Sequence, residues 1–245
     1  MQRYKAVVEY DGTGFCGWQR QIGCLSVQQI LEESIYKFKK IQTCVYASGR
    51  TDTGVHAYGQ IIHFDLDKKY DLKEVICAIN YHSKPHAVAL IDCEYVSHDF
   101  HARFSAIERA YLYRIINRLN PVIIEKNRVW QVKKSLNFES MKEASQYFLG
   151  KQDFTSFRSS HCQAKSPIRT INKIDILKNG EEIKLYIYAQ SFLHNMVRNI
   201  VGTLVDVGLN KIQSYEIKNM IEKKSRAVAG QTAPACGLYF MGVKY

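Results

Sequence analysis

The order in which apolar residues alternate and then recur at helical spacing constrains the fold of this chain most. Residues 4–10 alternate like a strand, and residues 26–41 repeat at the spacing of an amphipathic helix. Short strands are predicted at 44–47 and 60–66, then a helix around residues 72–79 and a strand at 87–96. This β-α-β-β-α-β order is that of a ferredoxin-like unit, which many RNA-binding modules share.

The second half of the chain repeats this order. The pattern predicts a strand at 108–117, a helix at 138–149, a hairpin of 169–177 with 182–192 about an Asn-Gly turn, helices at 193–207 and 215–223, and a strand at 238–243. Residue identity between the halves is low, so the repeat rests on element order alone. We predict an α+β fold of two ferredoxin-like halves with mainly antiparallel sheets, divided into residues 1–106 and 107–245, with the active-site cleft between them.

A carboxylate with an arginine two residues before it is the strongest chemical signal. If the segment is extended, Arg50 and Asp52 point to one face and Thr51 and Thr53 to the other. The neighbouring cation favours the ionised, nucleophilic carboxylate, and the flanking glycines permit positive φ on both sides. The alternative is a surface hairpin with an exposed ion pair that contributes little to stability.

The charge of the chain favours a polyanionic partner. There are 34 Lys and Arg against 23 Asp and Glu, which gives a net charge of +11 and a pI near 9.2. Because 16 tyrosines and 11 phenylalanines are also available to stack on bases, RNA is the favoured partner.

Several classes of site are not expected. The seven cysteines have no zinc-ligand spacing and are interpreted as reduced thiols, so no metal is predicted. The turn at residues 11–14 lacks the Gly-Lys-Ser/Thr ending of a P-loop, so no nucleotide cofactor is predicted. No signal region and no long apolar run is present, so we expect a soluble, cytoplasmic protein without a membrane segment.

An arginine lies beside the apolar stripe of the predicted helix at 193–207. His194 and Arg198 are four residues apart on the adjoining face. An arginine in that position must reach a carboxylate, a phosphate or solvent, and ordinary snorkelling at a helix edge is the alternative. The chain's histidines at 56, 63 and 101 have no metal-like grouping and are interpreted as packing or polar contacts.

Four ordered segments together resemble the tRNA pseudouridine synthase A family. They are residues 10–19, residues 49–57 (Gly-Arg-Thr-Asp-Thr-Gly-Val-His-Ala), residues 100–106 and residues 192–199. The resemblance implies that Asp52 is the catalytic nucleophile and that Arg198 pairs with it and holds it ionised. It also implies that Tyr111 stacks on the target uracil and that Leu238 forms the opposite wall of the pocket, although a strand tyrosine and an apolar residue are ordinarily core.

The resemblance further implies an isomerase that converts uridine to pseudouridine at positions thirty-eight to forty of the tRNA anticodon arm. No cofactor is needed, and a homodimer is implied. Whether Asp52 attacks uracil C6 or ribose C1′ is left open. Arg50 is expected to fill the gap in the base stack or steady the RNA backbone, and basic residues elsewhere are expected to contact phosphates, namely Arg103, Arg158 and Arg169, with Arg20 and Lys165.

Two rival functions fit parts of the pattern. A tandem RNA-binding module without catalysis would explain the repeated fold and the charge, but it gives no reason for Asp52, since a carboxylate facing RNA repels phosphate. A metal-dependent nuclease would need clustered carboxylates, and the nearest acidic residue to Asp52 in the following sequence is Asp65.

Overall fold

In the computed structural model, which describes residues 1–245, the chain forms two units. The first comprises residues 1–107 with residues 239–245, and the second comprises residues 108–238. Each unit combines helices with a β-sheet, so the predicted α+β class is confirmed.

The first unit follows the predicted β-α-β-β-α-β order. Its elements are β1 (Gln2–Tyr10), α1 (Val27–Lys39), β2 (Tyr46–Ala47), β3 (His56–Leu66), α2 (Leu72–Ser83) and β4 (Val88–Val96). β1 lies between β4 and β3 with antiparallel pairing on both sides, and β2 pairs antiparallel with β3. This is the strand order of a ferredoxin-like sheet.

Both helices of the first unit begin at side-chain caps. The Ser26 hydroxyl accepts the Gln29 backbone N–H at 3.2 Å, as the sequence predicted, and Lys40 ends α1 with a φ of 59°. The Asp71 carboxylate caps α2 by accepting the Lys73 N–H at 2.9 Å. α1 packs against α2 and buries its apolar stripe, because its outward face carries the charged residues.

The C-terminal strand β10 (Leu238–Lys244) belongs to the first unit from residue 239 onward. Tyr239 and Phe240 pair in parallel with His56 and Ala57 of β3. The predicted division, with 107–245 as one domain, placed this strand with the second half. The difference arises because parallel pairing joins distant segments and leaves no local sequence signal.

The second unit contains the remaining elements. These are β5 (Glu108–Asn117), β6 (Trp130–Val132), α3 (Phe138–Gln146), β7 (Gly150–Asp153), β8 (Ile168–Asn179), β9 (Glu182–Ala189), α4 (Met196–Gly208) and α5 (Glu216–Glu222). The sheet order is β5-β9-β8-β7, and β6 pairs in parallel with β5. The predicted hairpin is confirmed, since Asn179 pairs with Glu182 and Gly180 adopts a φ of 57°.

Helix α4 forms the centre of the second unit. Twelve of its thirteen residues are buried, and Arg198 is the exception. α4 packs against α3 so closely that a Cβ at Gly208 would lie 2.8 Å from the Met141 sulfur. Because α4 is apolar on nearly all sides, it is buried on nearly all sides. Arg198 is therefore the position at which this helix reaches the surface.

The sequence missed two short strands. β6 has three residues and β7 has four, too few for an alternating pattern to appear.

A membrane span requires a helix of a certain length and hydropathy, and none of the helices meets both requirements.

Candidate active site

Asp52 lies in the loop of residues 48–55, which joins β2 to β3. Arg50 is exposed, Thr51 is buried, and Asp52 is half-buried, as expected for alternating faces. Thr53 was expected to share a face with Thr51, but Thr51 is buried and Thr53 is exposed. The alternation stops there because the Val55 N–H donates to the Asp52 carbonyl at 3.1 Å and closes a turn.

Positive φ was predicted to be possible at both flanking glycines. It occurs at Gly54, where φ is 76°, within the turn that follows Asp52. The other positive-φ glycine at this loop is Gly17, from the segment of residues 10–19. That segment packs against the Asp52 loop.

Thr51 anchors the loop to the core on the side away from Arg50. Its hydroxyl bonds the Tyr10 hydroxyl at 2.8 Å, and its carbonyl accepts the Trp18 N–H at 3.0 Å. Burial raises the pKa of Tyr10 to about 12, so this phenol stays neutral as a structural partner.

Two glycines of the segment 10–19 permit close backbone contact with the loop. A Cβ at Gly17 would lie 2.7 Å from the Thr51 carbonyl oxygen and 3.2 Å from the Asp52 carbonyl carbon. A Cβ at Gly12 would overlap the Val55 carbonyl. The glycines of this segment therefore let its backbone pack directly against the Asp52 loop.

Gln60 fixes the start of the loop, and sequence reasoning missed it. The fully buried amide donates to the Gly49 carbonyl at 2.9 Å and lies 2.6 Å from the Ser48 hydroxyl. The available signal was its position, because Gln60 lies on the same face of the predicted strand as Ile62. A glutamine on a buried face needs hydrogen-bond partners for its amide. The backbone on both sides of Asp52 is thus fixed, which holds the carboxylate in place.

His56 and His63 make packing and polar contacts, as predicted. His56 Nδ1 lies 3.0 Å from the Gly12 N–H and 3.1 Å from an Asp11 carboxylate oxygen, and its ring stacks on Tyr239. His63 Nδ1 accepts the Ala102 N–H at 3.2 Å. The chain has no group of three or more His, Cys, Asp or Glu residues arranged to hold a metal ion.

Tyr111 and Leu238 lie in the second unit. Tyr111 is in β5, is 9% exposed, and meets the Phe192 ring edge-on at 5.0 Å between centroids. Leu238 is buried at the first position of β10. Phe192 comes from the segment 192–199, so this segment contacts the tyrosine as well as carrying Arg198.

One backbone carbonyl and one side chain hold the Arg198 guanidinium. Its Nε donates to the Ala233 carbonyl at 2.8 Å, and its Nη1 donates to the Asn195 side chain at 3.2 Å. The predicted placement of His194 and Arg198 on one helical face is wrong. α4 begins at Met196 rather than Leu193, because Asn195 adopts a left-handed φ of 61° and His194 precedes the helix.

A second polar network, also missed from sequence, fixes the segment that holds Arg198. The buried Asn199 side chain accepts from Arg226 Nη2 at 3.1 Å and from the Thr232 hydroxyl at 2.7 Å. Its amide donates to the Phe157 carbonyl at 2.9 Å. Because Ala233 directly follows Thr232, this network sets the position of the carbonyl that orients Arg198.

The predicted RNA-contacting arginines have different surroundings. Arg103 and Arg50 are exposed in the first unit, and Arg158 is half-buried in the second. Arg169 Nη1 donates to the Ser166 and Ile168 carbonyls at 2.9 and 2.6 Å, and burial lowers its pKa. Arg20 pairs with Glu32 and Glu33 at 3.2 and 3.8 Å, so its charge is partly neutralised.

The expectation that all cysteines are reduced is wrong for one pair. Cys16 and Cys24 form a disulfide that closes the loop between them, and five cysteines remain free. The spacing of eight residues matches no metal motif, so the pattern analysis gave no sign of the pair.

The chain is similar to known proteins over most of its length. A family model described as tRNA pseudouridine synthase matches residues 6–105 and 144–245. The proteins named tRNA pseudouridine synthase A from Orientia tsutsugamushi strains Ikeda and Boryong are each 50% identical, over the full length of both chains. Among solved structures, a Cbf5-Nop10-Gar1 complex matches 81% of this chain and 46% of that chain, at 13% identity and a TM-score of 0.35.

Proposed function

The chain belongs to the tRNA pseudouridine synthase family, and from this membership and the Asp52 loop we propose that it isomerises uridine to pseudouridine in tRNA with Asp52 as the nucleophile. One observation carries the proposal. The backbone on both sides of Asp52 is held by hydrogen bonds, through Thr51 and Gly49 to core residues and through Val55 within the turn, while the residue is only half-buried. A carboxylate on a fixed backbone that is not enclosed by the core suits covalent catalysis.

Uridine and pseudouridine contain the same atoms, so the reaction needs no oxidant, reductant or group donor. No cofactor is therefore proposed. The target uridine leaves the base stack, which costs a few kcal/mol that contacts to the RNA backbone offset. Asp52 forms a covalent bond to the nucleoside, the N-glycosidic bond breaks, the uracil turns, and a bond forms between ribose C1′ and uracil C5. The bond to Asp52 then breaks, and its electron pair returns to the carboxylate. The C5 proton leaves and N1 gains a proton. Attack at uracil C6 and attack at ribose C1′ both satisfy this scheme.

The roles of the other pocket residues come from the family resemblance. Arg198 pairs with Asp52 and favours its ionised form, Tyr111 stacks on the target uracil, and Leu238 forms the opposite apolar wall. The local contacts of Arg198 support its assignment, because Ala233 and Asn195 aim the guanidinium before any substrate binds.

The substrate is the anticodon arm of tRNA, at positions thirty-eight to forty. Arg50, Arg103, Arg158 and Arg169 contact the RNA, and the net charge of +11 supports a polyanionic ligand. A homodimer, implied by the resemblance, and a cytoplasmic location, expected from the sequence, stay predictions.

The test is release of tritium from unmodified tRNA transcripts that carry tritium at uridine C5. Pseudouridine formation replaces the C5–H bond by a C–C bond, so the label enters water in proportion to turnover. We expect release that stops in transcripts with cytidine at positions thirty-eight to forty. Tight tRNA binding without any release would support the rival RNA-binding module and contradict the proposal.

A further inference from the structure

One aromatic side chain of the segment 100–106 points into solvent although its backbone is held firmly. Phe104 is 74% exposed. Phe100, at the start of the same segment, instead packs against Tyr245 at 4.9 Å between centroids. An exposed phenylalanine on an otherwise anchored segment indicates a contact that the chain alone does not supply.

Hydrogen bonds hold the loop that carries Phe104. The Ala102 N–H donates to His63 Nδ1 at 3.2 Å, and the Ala102 carbonyl accepts the Tyr245 hydroxyl at 2.8 Å. His101 Nδ1 accepts the Arg103 N–H at 3.1 Å. The backbone that carries the ring is therefore ordered before any ligand binds, which lowers the entropy lost on binding.

Phe104 ends a row of aromatic rings that begins at Tyr46, on the surface of the first unit. Tyr46 stacks on His63 at 4.9 Å, His63 meets His101 at 4.6 Å, and His101 lies 4.4 Å from Phe104 at an angle of 36°. His101 covers one side of the Phe104 ring, so the exposed area lies on the opposite face and edge. An open ring face is the surface on which a nucleobase stacks.

A cation lies beside the same ring. The guanidinium carbon of Arg103 lies 5.6 Å from the centre of the Phe104 ring. A base on the ring and a phosphate at the guanidinium would engage both parts of one nucleotide. An apolar protein surface would gain nothing from the arginine.

We propose that Phe104 is a stacking platform for an unpaired base of the tRNA, distinct from the target uridine, and that Arg103 contacts the adjoining phosphate. The proposal rests on the proposed function only in taking tRNA as the ligand.

The test measures tRNA affinity in an Asp52→Asn background, where turnover does not alter the ligand. Phe104→Ala should weaken binding by about 5-fold to 100-fold, the range for loss of one base–aromatic stack. Phe104→Trp should retain affinity, and its indole fluorescence should fall when tRNA binds. The matched control is Tyr81→Ala on α2, which removes another ring that is 70% exposed and should leave affinity unchanged.

Salt dependence separates the ring from the cation. Phe104→Ala should keep the slope of log affinity against log salt, whereas Arg103→Ala should reduce it by about 0.7 to 0.9 for each lost phosphate contact. Melting temperatures near that of the parent protein confirm folding. Affinity of Phe104→Ala equal to that of Tyr81→Ala would overturn the proposal. A change in the number of subunits in the assembly would also overturn it, because the ring would then belong to a contact between copies.

Failure of the platform and failure of the proposed function give different results. If the unaltered protein releases tritium and Phe104→Ala binds normally, the platform alone is refuted. If no tritium is released and Phe104→Ala binds weakly, the platform stands and the isomerase is refuted.

Discussion

Gly17→Ala tests whether the segment of residues 10–19 positions Asp52. Gly17 has a φ of 99°, and an added Cβ would lie 2.7 Å from the Thr51 carbonyl oxygen. Gly23 provides a matched control in the same region. Its φ is 82°, but an added Cβ there would meet no atom within 4 Å.

The two substitutions differ mainly in contact with the Asp52 loop. Backbone strain at positive φ costs about 1 to 2 kcal/mol for alanine in either variant. Gly17→Ala adds an overpacking cost of about 1 to 3 kcal/mol, because backbone rather than a flexible side chain must move. At about 2 to 4 °C per kcal/mol, we expect Gly23→Ala to lower Tm by about 2 to 8 °C and Gly17→Ala by about 4 to 20 °C.

The assay pairs thermal unfolding with single-turnover tritium release at saturating tRNA. Movement of the Thr51–Asp52 backbone should slow Gly17→Ala by at least about 10-fold, since a misplacement of about 1 Å can cost about 100-fold. Gly23→Ala should stay near the unaltered rate. Equal rates and equal Tm values for the two variants would refute the reasoning.

Three further predictions concern other residues. Arg198→Lys keeps the charge but loses the Nε–H bond to Ala233, so the single-turnover rate should fall more than tRNA affinity. A lower Tm with an unchanged rate would contradict this prediction. Tyr111→Phe should keep tRNA affinity because the stacking ring remains, and its rate then shows whether the hydroxyl helps to remove the C5 proton. Burial, with His101 and Arg3 nearby, lowers the pKa of His63 to about 4 despite Asp65, so the unfolded chain binds the proton first as pH falls. The free energy of unfolding should therefore be undiminished above pH 6.5 and should fall by about 3 kcal/mol towards pH 4, a loss that His63→Gln should lack.

The elements with strong local patterns were predictable from the sequence. The alternating residues of β5 predicted both of its ends, and the Asn-Gly pair predicted the hairpin of β8 and β9, although the turn itself is Gly180 and Glu181, one residue later. The cap of α1 was also predicted, because the Ser26 and Gln29 spacing acts within one helical turn.

Features that depend on distant contacts were not predictable. The left-handed conformation of Asn195 delays the start of α4 and removes His194 from the Arg198 face. The Gln60 clamp, the Asn199 network and the Cys16–Cys24 bond each require the folded chain to bring their partners together. The candidate nucleophile was found from sequence because its motif is contiguous, whereas its supports are spread along the chain.

The central claim is that Asp52 is the nucleophile of a tRNA pseudouridine synthase. The most direct test compares Asp52→Asn, Asp52→Glu and the unaltered protein by single-turnover tritium release, with tRNA affinity and Tm measured on the same samples. Asp52→Asn keeps the shape but removes the nucleophilic carboxylate, so we predict no detectable release with affinity and Tm nearly unchanged. Asp52→Glu retains a carboxylate in a shifted position and should also be strongly impaired. Substantial pseudouridine formation by sequence-verified Asp52→Asn protein would contradict the account.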